Sequence, residues 1–370
     1  MKRSRTQRTV KTAILAFESF TALPVTGPMD VLNESYEIWR AVNGQNAGWT
    51  RFNIELVGLT KQPVRFGDSV TVHPQVSVRH ATRPDLILIP SFGPSIGEML
   101  VESIDENRGF LPWIKSCAAR GTRVASMCTG SFFLAETGLL DGRSATTHWF
   151  FADAFRKRYP KVNLVPDRLI VDEGNLITTG AATAFMDLVM YLIELYCGHE
   201  IAVFCSKILL IELGRRTQLP YTIFSTQRFH NDRQILRVQQ AIESESNLNL
   251  SSVSLAERAG MSRRNFDRRF RNATGETPSS YIQKFRVEKA KRLLETTNDT
   301  VQEIIAKVGY QDRRSFRRLF SEHTALSPTS YRVKYGIPAA SRSPVVQSIL
   351  GGTRSCSAGV LDAPPLGRPD

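Results

Sequence analysis

"LAERAGMSRRNFDRRFRNATGETPSSY" (255–281) and "IAKVGYQDRRSFRRLFSEHTALSPTSY" (305–331) are two versions of one text. Aligned without a gap at an offset of 50, Ala256 meets Ala306, Phe266 meets Phe316, Phe270 meets Phe320, Pro278 meets Pro328 and Tyr281 meets Tyr331. A register held over 27 positions identifies two copies of one supersecondary unit. Each copy reads as a short helix, a brief turn and a second helix. Leu255 or Ile305 lies in the first helix, with Ala256 or Ala306 as the small residue of a close crossing. Ser262 and Asp312 are placed to cap the second helix through a side-chain oxygen.

In those second helices Phe266 and Phe270 are four residues apart, as are Phe316 and Phe320, so each pair faces a core. The outward face then carries Arg264, Asn265, Arg268 and Arg271 in the first copy, and Arg314, Ser315, Arg318 and Ser321 in the second. Arg donates bidentately to guanine and Asn matches adenine. Arg263, Arg269, Arg313 and Arg317 flank that face and suit phosphates. This arrangement predicts two helix-turn-helix units. A plain helical bundle with a solvated face does not account for Arg in both copies. Between them "SYIQKFRVEKAKRLLETTN" (280–298) predicts one amphipathic helix with Ile282, Phe285, Ala290, Leu293 and Leu294 inward. As a rigid spacer it would hold the recognition helices about 34 Å apart, one turn of B-DNA.

Charge placement agrees. The 370 residues carry a net +13. Residues 251–336 hold 18 Lys and Arg against 9 Asp and Glu, and residues 1–11 hold five basic residues and no acid. Residues 12–250 hold 22 against 24, so the basic excess is local and built for a polyanion.

The first half has another grammar. "TAILAF" (12–17), "FNIELVGL" (52–59), "DLILIP" (85–90) and "TRVASM" (122–127) are short, β-rich and apolar on both faces. Amphipathic stretches near 26–42 and 110–120 lie between them, which predicts an α/β domain with a mostly parallel sheet. "VNLV", "RLIVDEG" and "NLITTG" (162–180) read as a hairpin or edge addition turning at Glu173-Gly174-Asn175, followed by a long helix over 181–197. The expected organisation is a basic tail (1–11), an α/β domain (12–205), a connector (206–231), an all-α domain with two helix-turn-helix units (232–336) and a disordered Pro-, Gly- and Ser-rich tail (337–370).

Cys128 stands where a buried strand meets a helix pattern, a corner at which backbone N–H groups and the helix dipole favour thiolate. His148 follows twenty residues later. Cys117, Cys128, Cys197, Cys205 and Cys356 form neither a disulfide ladder nor a metal spacing, and a reducing cytoplasm is expected. His73, His80, His199, His230 and His323 have no ligand spacing, so no metal or cofactor is expected. The apolar stretch near 188–211 is broken by Glu194, His199, Glu200 and Lys207, so no membrane span is expected.

Over roughly 232–335 the chain resembles the AraC/XylS family of transcription regulators. "LAERAGMSRRNFDRRF", the spacer pattern of Arg286, Lys289, Ala290, Leu293 and Leu294, and "VGYQDRRSFRRLF…SPTSYR" carry the likeness. The resemblance implies groove-facing or base-reading roles for Arg264, Arg268, Arg313, Arg314 and Arg318. Ala325 departs from it, since the family has Gly before the Ser-Pro turn. Residues 12–222 resemble the DJ-1/PfpI-like (class I glutamine amidotransferase-like) domains through "GPMDVLNE" (27–34), "DLILIPSFG" (85–93), "ASMCTGSFFLAETGLLDGRSATTHW" (125–149) and "GRRTQLPY" (214–221).

That second resemblance implies a flavodoxin-like fold with a pocket at Gly93, Cys128, Thr129 and His148, where Gly93 and Thr129 offer backbone donors. Enzymes of this kind place a Glu four residues before the Pro28-Met29-Asp30 motif. Pro24 stands there, Glu18 lies six residues earlier, and Asp153 is a weak orienting partner for His148. The expectation is therefore a non-enzyme: a DNA-binding regulator whose α/β domain senses a small molecule, with nitrogenous metabolites suggested by related regulators. Promoter DNA, a second copy of the chain and, for an activator, RNA polymerase are the expected partners, in the cytoplasm at the nucleoid. The rival is a cysteine-dependent hydrolase or hydratase tethered to DNA.

Overall fold

Hydrophobic alternation along one strand, β1 (Arg8–Ala16), organises the first half of the protein. In the computed structural model, which describes residues 8–17, 22–43, 50–68, 70–92, 98–224, 230–244 and 251–337, Val10 and Ile14 enter one core while Ala13 and Leu15 enter another. A period of two on a strand sends neighbours to opposite faces, so β1 lies between two helical layers. It pairs in parallel with β2 (Thr50–Gly58), placing Val10 beside Phe52 and Ile14 beside Leu56. The strand begins at Arg8, so residues 8–11, expected in the tail, belong to the sheet.

Two short strands, β3 (Val64–Phe66) and β4 (Val70–Val72), form a separate hairpin. Next come β5 (Val76–Ser77), β6 (Leu86–Ile89) and β7 (Arg123–Met127). Then β8 (Ser144–Ala145) pairs in parallel with β9 (Asn163–Leu164) in a small sheet of its own. Only β10 (Ile170–Asp172) and β11 (Leu176–Thr179) form the expected hairpin around 173–175. The reading of 162–180 as one edge addition is thus corrected at its first segment. The main sheet runs β10-β11-β7-β6-β1-β2-β5 and is parallel except for the β10–β11 pair.

Helices cover both faces, as a parallel sheet requires. One core takes Leu86 and Leu88 of β6 against α1 (Leu23–Asn43), α6 (Phe185–Cys197) and α7 (His199–Leu209). The other takes Ile87 and Ile89 against α2 (Glu98–Glu106), α3 (Leu111–Ala119), α4 (Gly130–Glu136) and α5 (Ala152–Arg158). The strand order reverses about β1 and β6. Parallel α/β sheets bind ligands beyond the carboxyl ends of the strands at such a switch point. Phe17, Phe92 and Cys128 follow those ends, and the Phe17 and Phe92 rings meet edge to face at 5.0 Å.

The first compact unit ends at Gln218 and the second begins at Leu219. Residues 206–218, expected as connector, belong to the α/β unit. After α7 the chain bridges Thr217 to Arg168, the Leu169 N–H donates to Arg216 O at 3.0 Å, and Arg215 pairs through its guanidinium with buried Asp187.

Among its described residues the second unit has helices and no strand: α8 (Arg233–Ser244), α9 (Ser252–Arg258), α10 (Arg263–Thr274), α11 (Pro278–Thr296), α12 (Val301–Lys307), α13 (Arg313–Thr324) and α14 (Pro328–Tyr335). Phe266, Phe270, Phe316 and Phe320 are all buried in its core, and α11 forms the expected spacer helix. The repeat itself is not gapless. Ser251 and Thr300 cap α9 and α12 at an offset of 49, and Gly260 and Gly309 turn the chain with φ of +64° and +78° at that same offset. Ser262 and Asp312 then cap α10 and α13 at an offset of 50.

The second turn therefore holds one extra residue, and Ala256 corresponds to Ile305 rather than to Ala306. Ala256 and Ile305 are buried, whereas Ala306 is exposed. The close-crossing role expected of Ala306 is corrected for that reason. The tail beyond residue 337 lies outside the described residues.

Candidate functional site

The two recognition helices are set by their caps. The Ser262 hydroxyl accepts from the Asn265 N–H at 3.4 Å, and the Asp312 carboxylate accepts from the Arg314 and Ser315 N–H groups at 3.0 Å each. These bonds satisfy donors that the first helical turn leaves open. They also hold Asp312 below the usual carboxylate range, with the Ser315 hydroxyl as the leading cause. With the Phe pairs inward, Arg263, Arg264, Arg268, Arg313, Arg314, Arg317 and Arg318 are exposed and Asn265 is half-buried.

Among the described residues no ion pair forms on Arg264, Arg313 or Arg317, whose charge is open to a polyanion, while Arg314 also feels the Asp312 carboxylate that caps its own helix. Arg268 donates to Asn265 Oδ1 at 2.9 Å. Arg318 lies 3.7 Å from Glu322 and Arg263 lies 3.8 Å from Asp267, loose exposed pairs that a phosphate outcompetes. Ser315 gives its hydroxyl to Asp312, so it reinforces the cap. Arg269 is corrected: it grips Asp232 with bonds of 2.9 and 2.7 Å and also donates to Gln234, tying α10 to the start of α8. The same position in the second unit is the buried Leu319, which marks a packing site.

Cys128 sits between β7 and α4 with φ of +53°, a left-handed conformation rare for a residue with a side chain. Its N–H donates to Thr179 O at 3.1 Å, and its carbonyl accepts from the Thr147 hydroxyl at 3.0 Å. The residue is only 6% exposed. Burial pushes the thiol up to about 12, and the Thr129 N–H and hydroxyl oppose this only in part. Burial therefore works against the thiolate that the strand-to-helix corner is expected to favour.

His148 caps the turn that follows it, with Nδ1 accepting from the Phe150 N–H at 3.1 Å. That bond places its proton on Nε2. Burial lowers the imidazole to about 4. Among the described residues no hydrogen bond joins Cys128 to His148. Asp153 pairs with Arg156 at 2.9 Å. Thr129 exchanges two 3.0 Å bonds with the Phe92 backbone, while Gly93 and Glu18 lie outside the described residues. Pro24 stands in the first turn of α1.

What surrounds the cysteine is a set of buried hydroxyls. Thr178 accepts from the Thr146 N–H at 2.8 Å, Thr146 donates to Arg168 O at 2.7 Å, and Thr179 donates to Ser126 O at 3.2 Å. Gln218, 1% exposed, inserts its amide there, donating to Thr147 O and Pro166 O at 2.8 Å and accepting from the Trp149 N–H at 3.3 Å. A Cβ at Gly180 would stand 2.3 Å from the Gln218 side chain, so the glycine makes room for it. Sequence reasoning gave these residues no role, although Thr146 and Thr147 lie in the 125–149 stretch and Gln218 in "GRRTQLPY".

Comparison with known proteins follows the same division. Residues 10–195 match the DJ-1/PfpI family and residues 255–334 match a helix-turn-helix domain. The chain belongs to the DJ-1/PfpI family and carries a C-terminal helix-turn-helix domain. It is 32% identical over 200 residues to the HTH-type transcriptional regulator CdhR of Pseudomonas aeruginosa, covering 54% of this chain and 59% of that one. It is 23% identical over 297 residues to the regulator GbdR of Pseudomonas aeruginosa, covering 80% and 77%. An isonitrile hydratase of Pseudomonas putida is 30% identical over 190 residues, covering 51% and 72%. Among the described residues no helix is long and apolar enough to cross a membrane, and no cluster of candidate metal ligands occurs.

Proposed function

We propose that the protein is a sequence-specific DNA-binding transcription regulator controlled by a small molecule. The observation that carries this reading is the pair of capped helices presenting exposed, largely unpaired arginines from a duplicated unit. Arg264, Arg268, Arg314 and Arg318 would read base edges, while Arg263, Arg313 and Arg317 would hold phosphates. The likeness to CdhR and GbdR, both named as regulators, supports it.

The α/β domain would act as the sensor and dimer-forming part, with its ligand at the switch-point strand ends beside Cys128, Thr129 and His148. A neutral thiol, an imidazole turned onto its own backbone, and Pro24 where an acid would stand favour binding over turnover. Gln218 gives the pocket a way out. It bonds the loop that carries Thr147 and Trp149, and it is the last residue of its unit. The next segment is held on the helical unit, where buried Lys291 donates to Thr222 O and pairs with Glu288 at 2.8 Å. A ligand that shifts the 146–149 loop would thus pull on a strap fastened at both ends, biasing one arrangement of the DNA-binding units.

The test is a footprint on the upstream region of the protein's own gene cluster, with and without candidate metabolites. Arg268→Ala or Arg318→Ala should cost about 1–3 kcal/mol on the specific site and relax its sequence preference. With roughly six phosphate contacts the log–log salt slope should lie near −5. Equal losses on random DNA would reject base reading by these side chains.

A further inference from the structure

We propose that the α/β unit carries a second binding site, a receptor for a small phosphate-type dianion, at the N-terminal ends of its central strands. A cleft of about 200 Å³ opens there, lined by Arg8, Arg83, Asp85, Arg123, Asn175 and Tyr196. Arg8 begins β1, Asp85 directly precedes β6, Arg123 begins β7, and Asn175 lies in the β10–β11 turn. Cys128 is at the other end of β7, roughly 16 Å away at about 3.3 Å per residue. The cleft is therefore separate from the switch-point pocket.

Its arginines are oriented without being neutralised. Arg123 donates to Gly174 O and to the Tyr196 hydroxyl, both at 3.1 Å, and Arg83 donates to Arg120 O at 2.6 Å. The guanidinium carbons of Arg8 and Arg123 both lie 5.5 Å from the centre of the Tyr196 ring. Carbonyls, a phenol and an aromatic face all fix a guanidinium and leave its charge in place. Among the described residues none of the three forms an ion pair.

Asp85 is the one carboxylate among the lining residues, and Asp172 stands two residues before Gly174. Asp85 accepts from the Lys11 N–H at 2.9 Å, while Asp172 accepts from the Tyr191 hydroxyl and from the Gly174 N–H at 2.7 Å. Three guanidiniums against Asp85 leave a formal +2 in the cleft. Like charges gathered this way repel, and a dianion relieves the repulsion. Arg forks match phosphate oxygens bidentately. The volume falls below the roughly 300–1,000 Å³ of sites for drug-sized molecules, which suits an ion or the phosphate end of a small ester.

The experiment uses the full chain in low-salt chloride buffer. Thermal shift and calorimetry follow titration with inorganic phosphate, glycerol phosphate, and sodium chloride at matched ionic strength. Saturable stabilisation by phosphate or the ester, absent with chloride, is expected. The tighter of the two identifies the source as free ion or phosphorylated metabolite. Arg8→Gln combined with Arg83→Gln, both exposed side chains, should weaken binding at least tenfold with the far-ultraviolet spectrum unchanged. Arg123→Gln should do the same. Arg264→Ala combined with Arg318→Ala should leave the binding intact.

The proposal is overturned if phosphate does no more than chloride, or if the helix-turn-helix arginines carry the effect. It is equally overturned if random duplex DNA displaces phosphate in the Arg264/Arg318 variant, which would assign the cleft to the nucleic-acid backbone.

Discussion

Cysteine alkylation decides between a chemical and a binding role for the strand-to-helix corner. The reactive form is the thiolate, and a free cysteine near its ordinary range is a few per cent ionised at neutral pH. Cys128, pushed up to about 12 by burial, would be ionised only to about 3 parts in 100,000 at pH 7.5. Its iodoacetamide reaction should therefore run roughly a thousandfold slower than that of a free cysteine, before any further loss from its 6% exposure. The absolute rate mixes access with ionisation, so the profile is the better reading. Between pH 6 and 9 the rate of label appearing on the Cys128 peptide, followed by mass spectrometry, should climb tenfold per pH unit without a plateau. Cys197, also pushed up to about 12, and Cys205, pushed up to about 11, provide internal comparisons. A plateau below pH 8 for Cys128 would mean that the corner stabilises the anion after all. It would refute the desolvation argument and return the hydratase-like reading to contention.

Other consequences follow from individual positions. His148 is lowered to about 4 in the folded state, so the unfolded chain binds the proton more readily as pH falls below about 6.5. Stability of the α/β unit should drop by about 2–3 kcal/mol between pH 7 and 4 on this account, and His148→Asn, which keeps a capping acceptor, should remove that part of the slope in urea unfolding. Ala325 holds φ of +54° where the first unit has Gly275 at +77°. Ala325→Gly should raise stability by about 0.5–1 kcal/mol in thermal unfolding, against the usual sign for Ala→Gly in a helix. Arg269→Ala should lower helical-unit stability by about 1 kcal/mol without changing the salt slope of DNA binding; a slope smaller by about one would restore Arg269 to phosphate contact.

The amino-acid sequence alone determined the two architectures and the recognition faces. Periodicity is a local property: a core position every second residue makes β1 and β6, and Phe at i and i+4 orients α10 and α13, so the outward arginines follow from the wheel. Caps are local too, which is why Ser262 and Asp312 were legible. Tertiary structure decided what depends on residues far apart in the chain. The extra residue in the second turn appears only when caps and turn glycines are superposed in space, and it moves Ala306 from core to surface. Arg269 and Arg268 are neighbours in one helix, yet only packing against Asp232 separates an internal tie from a groove-facing cation. The same holds at Cys128, where its place on a strand end suggests thiolate while burial by the surrounding layers raises the thiol. Gln218 stands inside the "GRRTQLPY" stretch, yet its bonds to Thr147, Trp149 and Pro166 exist only because strand, loop and the end of the α/β unit converge on it. Local pattern encodes which face a side chain takes; desolvation and partnership are set by what the folded chain brings to that face.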